Sequence, residues 1–108
     1  MAGTGPSEHQ IDLDTAERIT RRFRNGAAPD EVRGHWFSRD IIDQILAQPG
    51  CTGVRIYHAR HDDGSAALVV VGTRSAEGAA ADLTSGPICE EGKPCPPYCD
   101  VASALNSR

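Results

Sequence analysis

Three of the four cysteines fall within one stretch, Cys89-Glu-Glu-Gly-Lys-Pro-Cys95-Pro-Pro-Tyr-Cys99, and the fourth, Cys51, stands alone. Pro94, Pro96 and Pro97 fix φ and remove backbone donors, so this segment cannot form a helix or an interior strand. It presents its thiols on a stiffened loop. Three chemistries suit such a loop. Structural zinc takes four tetrahedral Cys or His ligands: Cys95, Cys99 and Cys89 could supply three, and Cys51 the fourth, with His58 or His61 as substitutes. The Cys-x5-Cys-x3-Cys spacing departs from the paired Cys-x2-Cys of zinc knuckles. Pro96 and Pro97 also lack the N–H groups that would bond a thiolate. The second chemistry is a Cys95–Cys99 disulfide. It closes few residues, stabilises little, and suits a redox switch better than a staple. The third is plain burial, since a free cysteine packs as a small hydrophobe. No iron–sulfur spacing is present, nor a thioredoxin-type Cys-x2-Cys.

Other reactive side chains are weighed against plainer roles. The run His58-Ala-Arg-His61-Asp62-Asp63 has metal-ligand types but reads more readily as a polar hairpin tip. Arg18, Arg21, Arg22 and Arg24 cluster within seven residues. They suit phosphate or an acidic partner, or simply a solvated helix face on which Glu17 and Arg21 pair at i, i+4. Trp36 is expected to cap the core with Phe37; exposed, it would be a partner hot spot. A catalytic cleft built from His58, Arg55 and Tyr57 has no motif in its favour. No Ser-His-Asp order, phosphate loop or His-Glu-x-x-His is found, and no catalytic residue is assigned.

Composition sets bounds. A chain of 108 residues makes one domain at most. Its apolar fraction is 39%, with 11 Gly, 7 Pro and few aromatics, so the core must be small. The net charge of −4 argues against general nucleic-acid binding. No segment approaches membrane-spanning length. The first residues carry neither a basic nor an apolar signal region. A cytoplasmic location is therefore expected, where thiols stay reduced. A protein partner or homo-oligomer is expected to complete the small core.

Periodicity supplies the elements. Asp14, with Glu17 in a capping box, opens a helix over about Thr15–Arg24 with Ala16, Ile19 and Phe23 on one face, ending at Asn25-Gly26. Pro29-Asp30-Glu31 begins a short helical turn. Ser38 caps a second helix, Arg39 to about Gln48, with Ile41, Ile42, Ile45 and Leu46 as its apolar stripe. Val54, Ile56 and His58 alternate with Arg55, Tyr57 and Ala59 and should point inward from a half-buried strand. Residues 61–65 form a hairpin tip with Gly64 at φ > 0. Leu68-Val69-Val70-Val71 reads as a strand that is central or covered on both faces. Residues 74–88 read as a loop.

The segments Phe37-Ser38-Arg39-Asp40-Ile41-Ile42, Gly50-Cys51-Thr52-Gly53-Val54-Arg55-Ile56-Tyr57 and Pro94-Cys95-Pro96-Pro97-Tyr98-Cys99 resemble, in order, a group of small uncharacterised bacterial proteins. That resemblance implies a helix, a Gly-Cys junction, an Arg-Ile-Tyr strand, a hairpin and the Cys-Pro-Pro-Tyr-Cys end; it implies no catalytic residues. The expected fold is α+β: two short helices packed on a β-hairpin, which a third strand or dimerisation could enlarge, with an irregular Cys/Pro-rich C-terminal tail. A lead over residues 1–12 precedes this core (13–75), and a Gly/Ala-rich loop with the Cys-rich tail (76–108) follows it. The function expected first is a zinc-binding interaction or regulatory module. The alternatives are a redox switch using Cys95 and Cys99, and a partner-binding protein with incidental thiols.

Overall fold

The structure is a computed structural model that describes residues 9–90 and 92–106. Residues 1–8 of the expected lead lie outside the described residues. In chain order the elements are α1 (Leu13–Asn25), β1 (Gly34–Trp36), α2 (Arg39–Leu46), β2 (Cys51–Arg60), β3 (Ala66–Arg74), β4 (Ala81–Asp82), β5 (Ile88–Cys89) and β6 (Lys93–Cys95). Two antiparallel sheets form. One has four strands, with β3 between β2 on one side and both β4 and β5 on the other; the second pairs β1 with β6.

This corrects the expectation of helices on a single hairpin. The segment read as a loop, together with the Cys-rich tail, contributes three short strands. A strand of two or three residues bonds through its backbone and has no room for an alternating pattern. Pro94 is tolerated because β6 pairs on one side only, opposite His35.

Helix α1 starts two residues earlier than read. Asp12, not Asp14, is its N-cap, and the Asp12 carboxylate accepts the Thr15 N–H at 2.8 Å. That bond, helped by Arg18, holds the Asp12 carboxyl below its ordinary value. Gly26 closes the helix, donating to the Phe23 carbonyl at 3.1 Å. No α1 side chain is buried, so its apolar face does not pack on the sheet as expected. Instead the Arg24 guanidinium donates to the Leu105 carbonyl.

Helix α2 makes the core. Ile45 is fully buried against Val70 and Cys89, with Phe37, Ile41 and Ile42 packed around them. The helix end sits close on β3 at Gly72. A Cβ there would lie 2.8 Å from Gln48 Nε2, 3.1 Å from Cys51 Sγ and 3.2 Å from Ile45 Cγ2. Gly92 admits Phe37 in the same way, its absent Cβ falling 2.7 Å from the ring Cζ.

The β2–β3 hairpin closes through His61 N–H to the Ser65 carbonyl and Gly64 N–H to the His61 carbonyl, both 2.9 Å, with Gly64 at φ 87°. This is the three-residue loop that glycine's left-handed freedom favours. β3 is the central strand, with Val70 buried on one face and Val71 on the other. β2 has the expected alternation but the opposite exposure. Val54, Ile56 and His58 are exposed, while Gly53, Arg55 and Ala59 are half-buried. Val54, Ile56 and His58 share the face of Val70, but α2, which packs on both β2 and β3, leaves these three side chains exposed. His58 therefore does not point inward. Among the described residues no helix is long and apolar enough to cross a membrane.

Candidate redox site

Cys95 and Cys99 are joined in a disulfide with Cα atoms 4.8 Å apart. The bridge closes a ring holding Pro96, Pro97 and Tyr98, with cis bonds before both prolines. The ring follows directly from β6. The register Gly34↔Cys95, His35↔Pro94, Trp36↔Lys93 ties β6 to β1, and Arg33 N–H donates to the Cys95 carbonyl at 2.6 Å. Inside the ring Tyr98 N–H donates to the Pro94 carbonyl at 2.9 Å and Cys99 N–H to the Pro97 carbonyl at 3.0 Å.

The two sulfurs meet different neighbours. Arg33 Nη2 lies 3.7 Å from Cys99 Sγ, and Arg33 Nε is buried without a hydrogen-bond partner. Asn106 Oδ1 lies 3.8 Å from Cys95 Sγ. The Asn106 amide is oriented by its Nδ2, which donates to the Asp100 carbonyl at 3.3 Å. One sulfur thus faces a cation and the other a neutral acceptor. A guanidinium favours thiolate over thiol, whereas a carboxamide oxygen favours the thiol by accepting its S–H. Arg33 and Asn106 were both missed in the sequence because each lies far from its sulfur's motif in chain order or carries no pattern of its own.

Around the ring lies an exposed aromatic surface. Trp36 is 56% exposed, which overturns its expected place as a core cap, and Tyr98 is 59% exposed. Between them Lys93 faces Trp36 across the strands and sets its Nζ 4.9 Å from the Tyr98 ring centroid, a cation–π distance. A cleft of about 380 Å³ beside Trp36 is also lined by Phe37, Ile41 and Lys93.

The four cysteines read as zinc ligands are not brought together. Cys95 and Cys99 are bonded to each other, so either would have to be reduced to ligate a metal. Cys89 faces Val70 in the core, and burial pushes its thiol above the ordinary value. Cys51, half-buried near Gly72, donates its thiol to the Gly53 carbonyl at 3.2 Å. His58 is exposed on β2, and His61 Nδ1 lies 3.3 Å from Glu90. Among the described residues no three His, Cys, Asp or Glu side chains form a group that could hold a metal ion. These residues as placed do not fit zinc.

Arg18, Arg21 and Arg22 stay on the exposed face of α1, where Arg21 pairs with Glu17. His58 also stands on the opposite face of β2 from Arg55 and Tyr57, so those three do not share a cleft. Arg55 and Tyr57 instead both donate to the Asp82 carboxylate on β4. The Tyr57 hydroxyl and then the Arg55 guanidinium hold the Asp82 carboxyl below its ordinary value of 3.8. A depressed carboxylate contributes stability that is present above the unfolded value and lost as pH falls through the folded one. The thermal midpoint should therefore drop on acidification below that ordinary value. Asp82→Asn should flatten the drop, leaving the share due to Asp12 and Asp63, which are lowered by their bonds from Thr15 and Ser65. An unchanged acid limb in D82N melting curves would contradict this.

A larger open cleft of about 1030 Å³ runs between the β2–β3 hairpin and the β1 side, lined in part by Phe23, Arg33, His35, His58, Arg60 and Leu68. Arg33 thus borders both this cleft and the disulfide. No known protein family matches the chain, and no curated protein and no solved structure is significantly similar to it.

Proposed function

We propose that the protein is a thiol–disulfide redox switch in which the Cys95–Cys99 bridge sets the conformation of a partner-binding surface made by Trp36, Lys93 and Tyr98. The observation that carries this reading is the asymmetric bridge, with Arg33 beside Cys99 and Asn106 beside Cys95.

Exchange with an external thiol follows from that asymmetry. The incoming thiolate attacks Cys95 Sγ, forming a mixed disulfide there, and Cys99 leaves as a thiolate beside Arg33. A lower-energy leaving thiolate departs faster. A second external thiolate then attacks the sulfur of the external thiol in the mixed disulfide and releases Cys95, which takes up a proton. Overall the bridge and two external thiols give two protein thiols and one external disulfide. Opening the ring releases Tyr98 from its place against Lys93 and loosens the β6 partner of Trp36.

Trp36 is the chain's single tryptophan, so its fluorescence reads the β1–β6 surface directly. Adding a dithiol reductant should shift its emission, and reoxidation should restore it. The C99S variant should sit at the reduced spectrum and ignore both. Identical emission from oxidised, reduced and C99S protein would rule out gating of this surface.

Arg33 gives a second check. Once the bridge is reduced, Arg33→Gln should slow alkylation of Cys99 at neutral pH by about three- to fivefold, the factor for one partly exposed charge contact. It should leave Cys95 unaffected. Equal slowing at both sulfurs, or at neither, would remove Arg33 from this role.

A further inference from the structure

Strand β2 is ten residues long and ends the four-stranded sheet, with no strand on its outer side among the described residues. The hairpin shows which of its backbone groups face outward. His61 N–H bonds to Ser65, and antiparallel pairs alternate between bonded and non-bonded along the ladder. With the register Arg60↔Ala66, Ala59↔Ala67, His58↔Leu68 and onward, residues 53, 55, 57 and 59 bond to β3. Val54, Ile56 and His58 therefore turn their N–H and C=O groups to the open edge.

The same three residues present an exposed face, on which Ile56 is 55% and Val54 42% exposed, with Leu46 exposed near the end of α2. Proteins usually protect such an edge with Pro, Lys, a bulge or a short strand. β2 has neither Pro nor Lys; of its two charges, Arg55 is held by Asp82 on the other face and Arg60, at the hairpin end, donates to the Gly64 carbonyl, and its only irregularity lies at its start, between Cys51 and Gly53.

We infer that this edge pairs with β2 of a second copy of the chain, antiparallel, about a two-fold axis at Ile56. The strand is self-complementary in that register. Opposite residues in an antiparallel pair share a face. Ile56 then meets Ile56, and each Val54 meets the other copy's His58. These are the residues with outward backbone groups, so the pairs exchange about six hydrogen bonds, two for each pair. On the other face each Arg55 meets a Tyr57 ring. An axis one residue earlier would set Arg55 against Arg55, and like charges directly opposite are destabilising. An axis one residue later would replace the Ile56 self-contact with Ile56 against His58. The two sheets thereby become one, and the small core gains apolar cover over β2.

Sedimentation of the oxidised full chain should give twice the chain mass of 11.5 kDa. Ile56→Lys should return it to the monomer with its circular dichroism unchanged, because the side chain is exposed. Val54→Glu and His58→Lys should each weaken the dimer, and the V54E/H58K double variant should restore it, since those residues face each other only in this register. Reduction should leave the dimer intact because the bridge lies in the other sheet. A monomeric wild type would overturn the inference. So would a dimer indifferent to Ile56→Lys, or a double variant that is no better than the singles.

Discussion

Ile45→Ala should cost about 2–5 kcal/mol, the range for removing a fully buried isoleucine and leaving a cavity. Ile45 has no exposed surface and is the largest fully buried side chain among the described residues. It is held against Val70 and Cys89, and its Cγ2 lies 3.2 Å from where a Cβ on Gly72 would stand. Domains of this size are stable by roughly 5–15 kcal/mol, and with so small a core this one belongs at the low end. The variant should be largely unfolded at moderate temperature. Urea titration of both proteins checks this: the midpoint should fall steeply while the slope stays constant. Val101→Ala is the control, with an expected effect within about 0.5 kcal/mol because its side chain is 80% exposed. Equal losses at the two positions would mean that the core is not centred on α2.

Removing the Cys95–Cys99 bridge should have the second-largest effect, and a local one. Chain-entropy arguments assign about 2 kcal/mol to closing so short a ring. That stabilisation is concentrated on β6 and the β1 strand it pairs with. In the C95S/C99S variant the amides of Arg33, Tyr98 and Cys99→Ser should lose exchange protection, because their acceptors are the Cys95, Pro94 and Pro97 carbonyls in or next to the ring. Amides of β3 should remain protected, since they belong to the other sheet. Hydrogen exchange resolves the two regions. Uniform loss across both sheets would show that the bridge staples the whole fold instead of switching one surface.

Long elements with a single repeating signal were legible in the chain. Helix α2 follows from Ser38 and the Ile41, Ile42, Ile45 stripe. The hairpin follows from Gly64, and the central place of β3 from its unbroken β-branched run. Three features were not legible, each for a physical reason. Asp12 and Asp14 are equally good caps, and only the bond to Thr15 separates them. The apolar face of α1 and the Val54–Ile56 face of β2 carry the periodicity of buried faces, but periodicity reports that a face is apolar and not whether this chain covers it. The strands β4, β5 and β6 are too short to carry a pattern. At the site, the Cys95–Cys99 pairing was one of several open readings of the motif. Arg33 and Asn106 reach the sulfurs only through the β1–β6 pairing and the turn after Cys99, and neither is visible from spacing.

Cys95 and Cys99 should interconvert reversibly between disulfide and dithiol when the protein is equilibrated across a series of thiol–disulfide buffers. Quenching each sample with an alkylating reagent under denaturing conditions and measuring intact mass then counts the thiols. The protein should take two labels at the oxidising end, on Cys51 and Cys89, and four at the reducing end. A single reversible transition should join them and should vanish in C95S/C99S. Four labels under every buffer, with zinc bound in proportion to the protein, would contradict it.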